Sequence, residues 1–359
     1  VNGTIGIAGA GVLGRLLAMQ LARKGFEVTL FDRDSSQERE TCSWVGAGML
    51  APIAELDVAE PVVARWGLKA LEMWPSLVES LDKPVFFQRE GSLVVAHRQD
   101  LPELERLKRC LSAKWSGPTP FVAKTGANLA SLEPDLASRF AHGLFFPEEG
   151  QLEPRQLMPA LLQAGETAGV TCRFRCHVKK LGQGFIETAG ERHPFDWVID
   201  TRGLGARGDV ASLRGVRGEL LRLHAPEVHL NRPVRLMHPR YPLYIVPRPD
   251  RAYLIGATSI ESDATDPVTV RSALELLSAA YSVHPGFAEA NIVAMQSQVR
   301  PALPDNLPRI FSEPGLIRIN GLYRHGFLLA PFLAAAAVAF LETGAKLDGE
   351  TLWSEASHA

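Results

Sequence analysis

Ile5-Gly6-Ile7-Ala8-Gly9-Ala10-Gly11-Val12-Leu13-Gly14-Arg15-Leu16-Leu17-Ala18 lies near the start of the chain, and its reading decides the fold. Ile5–Ala8 is the short apolar run of a fully buried strand, glycines follow at 9, 11 and 14, and Arg15–Ala22 continues as a helix that ends near Gly25. Each glycine has a mechanical task. Gly9 permits a tight turn, Gly11 lets the backbone approach a pyrophosphate at the positive helix end opened by Val12 and Leu13, and Gly14 lets helix and strand pack closely. A second apolar strand, Val28–Phe31, ends in Asp32, about the spacing at which a carboxylate meets a ribose hydroxyl, with Arg33 beside it. Strand, glycine turn, helix, strand and acid in this order predict a βαβ dinucleotide-binding unit and an α/β fold of Rossmann type. The fingerprint does not choose between NAD and FAD, because both present a pyrophosphate and an adenosine ribose.

The whole chain bounds the rest. Its 359 residues suggest two domains, on a prior of roughly 150 residues each. With 46% hydrophobic and 22% charged residues the balance is that of a globular enzyme or binding protein. A net charge of −2 with no basic run lacks the electrostatic footprint that a phosphate backbone needs, so nucleic acid is not an expected partner. Val1–Thr4 lacks the features of a signal peptide, and a cytoplasmic location is expected. The apolar run Gly326–Leu341 is shorter than the roughly 20 residues that span a bilayer and is interrupted by Pro331, so it predicts a buried helix and no membrane insertion. Cys42, Cys110, Cys172 and Cys176 form no C-x-x-C pair, and reduced thiols are expected, with Cys172 and Cys176 on a strand.

Three further segments carry chemistry. Cys42-Ser43-Trp44-Val45-Gly46-Ala47-Gly48-Met49-Leu50-Ala51-Pro52 is small and uncharged, a stretch whose backbone can lie against a flat ring. A second glycine pattern, Gly203-Leu204-Gly205-Ala206-Arg207-Gly208, follows the strand Phe195–Asp200. Asp209–Gly215 is too short to supply the helix of another βαβ unit, so one dinucleotide is expected. Near the C-terminus, the strand Leu316–Asn320, the turn Gly321–Gly326 and the helix from Phe327 form a third strand–turn–helix.

These segments resemble the D-amino-acid-oxidase family of FAD enzymes, glycine-oxidase type. The likeness runs through Ala47-Gly48-Met49-Leu50, Thr201-Arg202-Gly203, Tyr244–Thr258, Val299-Arg300-Pro301 and Leu328-Leu329-Ala330-Pro331, effectively end to end. It implies a discontinuous Rossmann-type FAD-binding domain (1–52, 145–215 and 305–359) and a mainly antiparallel-sheet substrate domain (mostly 53–144 and 216–304). The runs Gly218–Leu223, Tyr244–Arg248 and Ala252–Gly256 would form a meander over the flavin. Cofactor contacts are implied at Gly9, Gly11, Val12, Leu13, Gly14, Asp32, Arg33, Cys42, Ser43, Ala47, Gly48, Met49, Val178, Thr201, Gly203, Tyr323, Arg324, His325, Gly326, Phe327 and Leu328. The helix beginning after His325 would offer its N–H groups where reduced flavin becomes anionic. FAD is expected to be non-covalent, since no cysteine follows Cys176 to match the attachment known in sarcosine oxidases.

A planar guanidinium suits a substrate carboxylate better than a lysine does, and Arg300 matches the family's carboxylate-binding arginine. Tyr244 matches the tyrosine that hydrogen-bonds the bound acid, Arg324 is a second carboxylate candidate, and Met49 and Phe327 would shape the apolar wall. The expected substrate is therefore a small amino acid or amine, glycine first, passing a hydride from Cα to flavin N5 with no side-chain base. Oxygen would be the electron acceptor, and peroxide, glyoxylate and ammonia the products. The imine would serve thiamine thiazole synthesis, and a homo-oligomer is implied. Pro242 departs from the histidine found two residues before the pocket tyrosine in glycine oxidases, while His238 and Tyr241 have no assigned place. A D-amino-acid dehydrogenase with another acceptor, a sarcosine or secondary-amine oxidase, a nicotinamide-dependent reductase and a non-catalytic flavin-binding protein remain alternatives.

Overall fold

A computed structural model describes residues 3–37, 41–240 and 242–355, so Tyr241 lies outside the described residues. The fingerprint strand Thr4–Ala8 is central in a seven-stranded sheet. It pairs in parallel with Glu27–Phe31 on one side and Trp197–Asp200 on the other. Parallel pairing continues to Thr171–Arg173 beyond the first and to Leu316–Asn320 beyond the second. Arg309–Glu313 then runs antiparallel to Leu316–Asn320, and Trp353–Glu355 closes that edge. The strand ends carrying Ala8, Phe31, Asp200 and Asn320 therefore lie along one rim of the sheet, where α/β folds place ligands.

Local chemistry explains the fingerprint. Gly9 has φ +102°, and a Cβ there would stand 2.6 Å from Thr201 O. Thr201 Oγ1 donates to Gly9 O at 2.8 Å, tying the first turn to the end of Trp197–Asp200. A Cβ on Gly14 would collide with Gly9 O, so the helix Val12–Arg23 can lie this close to its strand only with glycine there. The helix has no side-chain cap, but Ser43 Oγ accepts the Val12 N–H at 3.0 Å.

The second sheet has eight strands, with Asn291–Ala302 at one edge and Val122–Thr125 at the other. Arg214–His224, Ala252–Gly256 and Leu243–Pro247 lie side by side and antiparallel in it, but in that order, so the chain does not run through them as the expected meander. The remaining strands are Val234–Leu236, Ser92–Val95 and His142–Phe146.

The chain crosses between the layers more often than the sequence partition has it. Phe145 and Phe146 belong to the eight-stranded sheet. The helix Pro61–Glu79, from a stretch expected to lie mostly with the substrate half, packs against Gly326–Thr343. Its buried stripe of Val62, Val63, Trp66, Ala70 and Trp74 needs an apolar partner, and the Gly326–Thr343 helix is apolar on all sides. Trp66 stacks on Phe332 with ring centroids 5.9 Å apart. Gly326–Thr343 is long and apolar enough to cross a membrane, yet it is a core helix, wedged between Val12–Arg23 and Pro61–Glu79. Leu329 and Leu333 are fully buried in it, each such leucine stabilising the fold by about 1.5–3 kcal/mol. All four cysteines are free; Cys172 lies on Thr171–Arg173, but Cys176 follows that strand because Arg175 turns the chain at φ +55°.

Candidate active site

The rim of the first sheet and the inner face of the second enclose a cavity of about 700 Å³, within the usual range for a small-molecule or cofactor site. It is lined by Gly9, Gly11, Val12, Leu13, Asp32, Arg33, Cys42, Ser43 and Val178. Its wall also includes Ala47, Gly48, Met49, Thr201, Gly203 and Leu328, and the group Tyr244, Arg300, Tyr323, Arg324, His325, Gly326 and Phe327. Of the residues expected at the site only Gly14 stands outside the lining, in its packing role. His238 and Pro242 do not line the cavity either.

Asp32 is oriented from both sides: Ala10 N–H donates to Oδ2, and Asp34 N–H donates to Oδ1 at 2.9 Å. Gly48 has φ +66° and a Cβ there would strike Leu152 O, so the small-residue segment threads a space that side chains would fill. The Cys42 thiol, pushed up to about 11 by burial against the opposing pull of Arg300, donates to Val299 O at 3.0 Å and stays protonated.

In the eight-stranded sheet two glycines make room for two side chains. The Arg300 guanidinium lies over Gly218, where a Cβ would collide with it, and the Tyr244 ring lies across Gly256, whose Cβ would stand 2.9 Å from the hydroxyl. Arg300 Nη1 donates to Thr258 O at 3.3 Å, and no carboxylate among the described residues pairs with this guanidinium. Burial raises the Tyr244 phenol, with Arg300 and Arg324 pulling the other way, so it remains a neutral donor.

Glu55 was not legible in the sequence. It lines the cavity, with Oε1 3.4 Å from Arg324 Nη2 and Oε2 3.7 Å from His325 Nδ1. Burial alone would raise this carboxyl, but Arg324, His325, Arg235 and Arg300 together hold it below its ordinary value. The only local signal is that Glu55 is the first charge after the uncharged stretch from Thr41 to Ile53. Gln298 and Asn320 were also missed. Asn320 is buried, lines the cavity and donates through Nδ2 to Gly203 O at 2.9 Å.

His325 is pushed down to about 4, mainly by burial, against the raising influence of Glu55. An unfolded histidine binds its proton near pH 6.5. Between about pH 6.5 and 4 the unfolded chain therefore binds more protons than the folded one, and stability falls as pH drops through that window. His325→Asn is expected to flatten the fall, seen as a smaller loss of thermal midpoint between pH 7 and 5 than the wild-type chain shows.

Comparison with known proteins now bears on this geometry. The family described as DAO, FAD dependent oxidoreductase, matches residues 4–340. The chain belongs to the DAO family. A Rhizobium etli protein carrying the name thiamine biosynthesis oxidoreductase ThiO is 43% identical over 329 residues, covering 91% of this chain and 93% of that one. Glycine oxidase of Geobacillus kaustophilus has a solved structure with TM-score 0.82 at 25% identity, covering 95% of this chain and 94% of its own. Iminodiacetate oxidase of Chelativorans sp. BNC1 also reaches TM-score 0.82 at 25% identity, covering 98% and 99%.

As a DAO family member the chain is an FAD-dependent oxidoreductase, and its cavity suits that cofactor. At Gly11 a Cβ would meet only Ser43 Oγ at 3.3 Å, so the peptide is bare on its cavity side. Within the first turn of Val12–Arg23, Arg15 N–H is bonded to Gly11 O at 3.0 Å and Val12 N–H to Ser43 Oγ, while the N–H groups of Leu13 and Gly14 precede the first intrahelical bond and suit a phosphate. Gly326, Phe327 and Leu328 likewise begin a helix at the cavity wall with no side-chain cap, a place for developing negative charge on the flavin.

Proposed function

We propose that this chain oxidises a small amino acid or amine, glycine first, in the reaction glycine + O2 + H2O to glyoxylate + NH3 + H2O2. The observation that carries the reading is Arg300: a guanidinium facing the cavity with no carboxylate partner among the described residues, beside the neutral Tyr244 hydroxyl. A substrate carboxylate supplies the missing counter-charge through charge-assisted hydrogen bonds. When bound non-covalently, FAD supplies the acceptor for the hydride leaving the substrate Cα. The chain's residues do the rest by position. Arg300 and Tyr244 hold the acid, Met49 and Phe327 exclude bulk, and the helix starting at Gly326 begins at the cavity wall, where its N–H groups would stabilise negative charge on the bound cofactor.

No side chain is assigned to proton abstraction. Glu55 is held ionised by its cationic neighbours, which makes it a weak base, and His325 is neutral but committed to a buried place beside Glu55. The 43% identity to the thiamine biosynthesis oxidoreductase supports use of the imine or its products in making thiamine. Oxygen as acceptor is tested by peroxide release. Purified holoenzyme in air is given glycine, sarcosine and D-alanine, and one mole of peroxide per mole of amine consumed is expected. Turnover only with an artificial acceptor would identify a dehydrogenase.

A further inference from the structure

The two solved oxidases that match equally well are named for substrates that differ in charge: glycine has one carboxylate, iminodiacetate two. The charges around this cavity decide between those classes. Two guanidiniums that line it, Arg300 and Arg324, act on both Glu55 and Tyr244. Arg324 already pairs with the Glu55 carboxylate at 3.4 Å, whereas no carboxylate among the described residues lies within ion-pair distance of Arg300. One positive charge is left for the substrate.

Glu55 is fastened in place from behind. Glu149 is fully buried; its Oε1 accepts the N–H groups of Ile53 at 2.9 Å and Ala54 at 2.7 Å, while its Oε2 accepts the Ser92 hydroxyl. Arg235 donates to Ala54 O and pairs with Asp57 at 3.0 Å. Lys114 Nζ donates to Leu56 O at 3.0 Å. Both sides of the peptide turn around Glu55 are thus held by side chains from separate elements, which fixes the point from which its side chain extends toward Arg324.

We propose that Glu55 is a specificity-determining residue that cancels Arg324 and restricts the site to substrates with a single carboxylate, excluding dicarboxylic amines. This rests on the reading of Arg300 as the carboxylate anchor. A second carboxylate that reaches for Arg324 must displace Glu55 or lie beside its negative charge within the cavity. Discrimination then comes from an unfavourable contact with the wrong substrate, beyond any better contact with the right one.

The test needs no turnover. Acetate and malonate are titrated into the oxidised, FAD-loaded full chain and binding is read from the change in flavin absorbance. Like-charge placement predicts that malonate binds at least about tenfold more weakly than acetate. Glu55→Gln is expected to close that gap at least about tenfold, chiefly by tightening malonate. Arg324→Met, which leaves Glu55 without its cation, is expected to widen it, and serves if Glu55→Gln fails to retain FAD. Equal binding of the two acids by the wild-type chain, or a gap unchanged in both variants, overturns the proposal. If acetate binds but no amine reduces the flavin, the oxidase reading fails and the charge rule stands by itself.

Discussion

Arg300→Ala is expected to raise the apparent KM for the amino-acid substrate by about 30-fold to several-thousandfold while FAD stays bound. The range follows from the roughly 2–5 kcal/mol lost when one partner of a desolvated, hydrogen-bonded charge pair is truncated. Among the described residues the Arg300 side chain makes one hydrogen bond, to Thr258 O, and lies over Gly218 at the cavity wall, so the variant loses a ligand contact without opening the core. Most of the effect is expected in KM, because a carboxylate remote from the reacting bond is held alike in ground and transition states. Arg300→Lys is expected to recover part of the loss, since an ammonium restores charge but not the two-point fork. Steady-state kinetics with flavin content measured alongside checks this. A variant that sheds FAD while KM holds would remove Arg300 from the substrate end.

Gly11→Val is expected to give a folded, colourless protein. The backbone at Gly11, φ −68° and ψ −174°, suits any residue, and the nearest atom to an added Cβ is Ser43 Oγ at 3.3 Å. The valine methyls therefore occupy cavity volume, not core, and block the close backbone approach that a pyrophosphate needs. Gly14 contrasts with it, because a Cβ there meets Gly9 O inside the protein and would disturb the fold itself. Circular dichroism with visible absorbance separates the two cases. A yellow Gly11→Val protein would break the link between the fingerprint and the cofactor.

What was legible in the sequence was what short-range sterics write there. Gly9, Gly11 and Gly14 have tasks settled within a few residues or by one neighbouring strand, and the apolar strands around them pair as their pattern implies. The all-apolar helix from Gly326 could be read as buried, because no face of it could meet water favourably. Arg300 and Tyr244 entered through family resemblance, and the structure adds that Gly218 and Gly256 make room for them. The Glu55 cluster was out of reach because its members come from distant parts of the chain: Glu55 beside Arg324 and His325, with Glu149, Ser92 and Arg235 behind it. A carboxylate's partner at long sequence separation leaves no periodic trace. The packing of the helix Pro61–Glu79 on Gly326–Thr343 was out of reach for a related reason, since its amphipathic stripe states that it packs but not against what.

The most direct test of the account is to add glycine, sarcosine and D-alanine separately to the oxidised holoenzyme without oxygen while following the visible flavin absorbance. Bleaching within the time of mixing by at least one of them, reversed on admitting air with release of peroxide, is the predicted result. An absorbance that stays unchanged with all three, in protein that carries its full complement of FAD, would contradict the assignment of this cavity to amine oxidation.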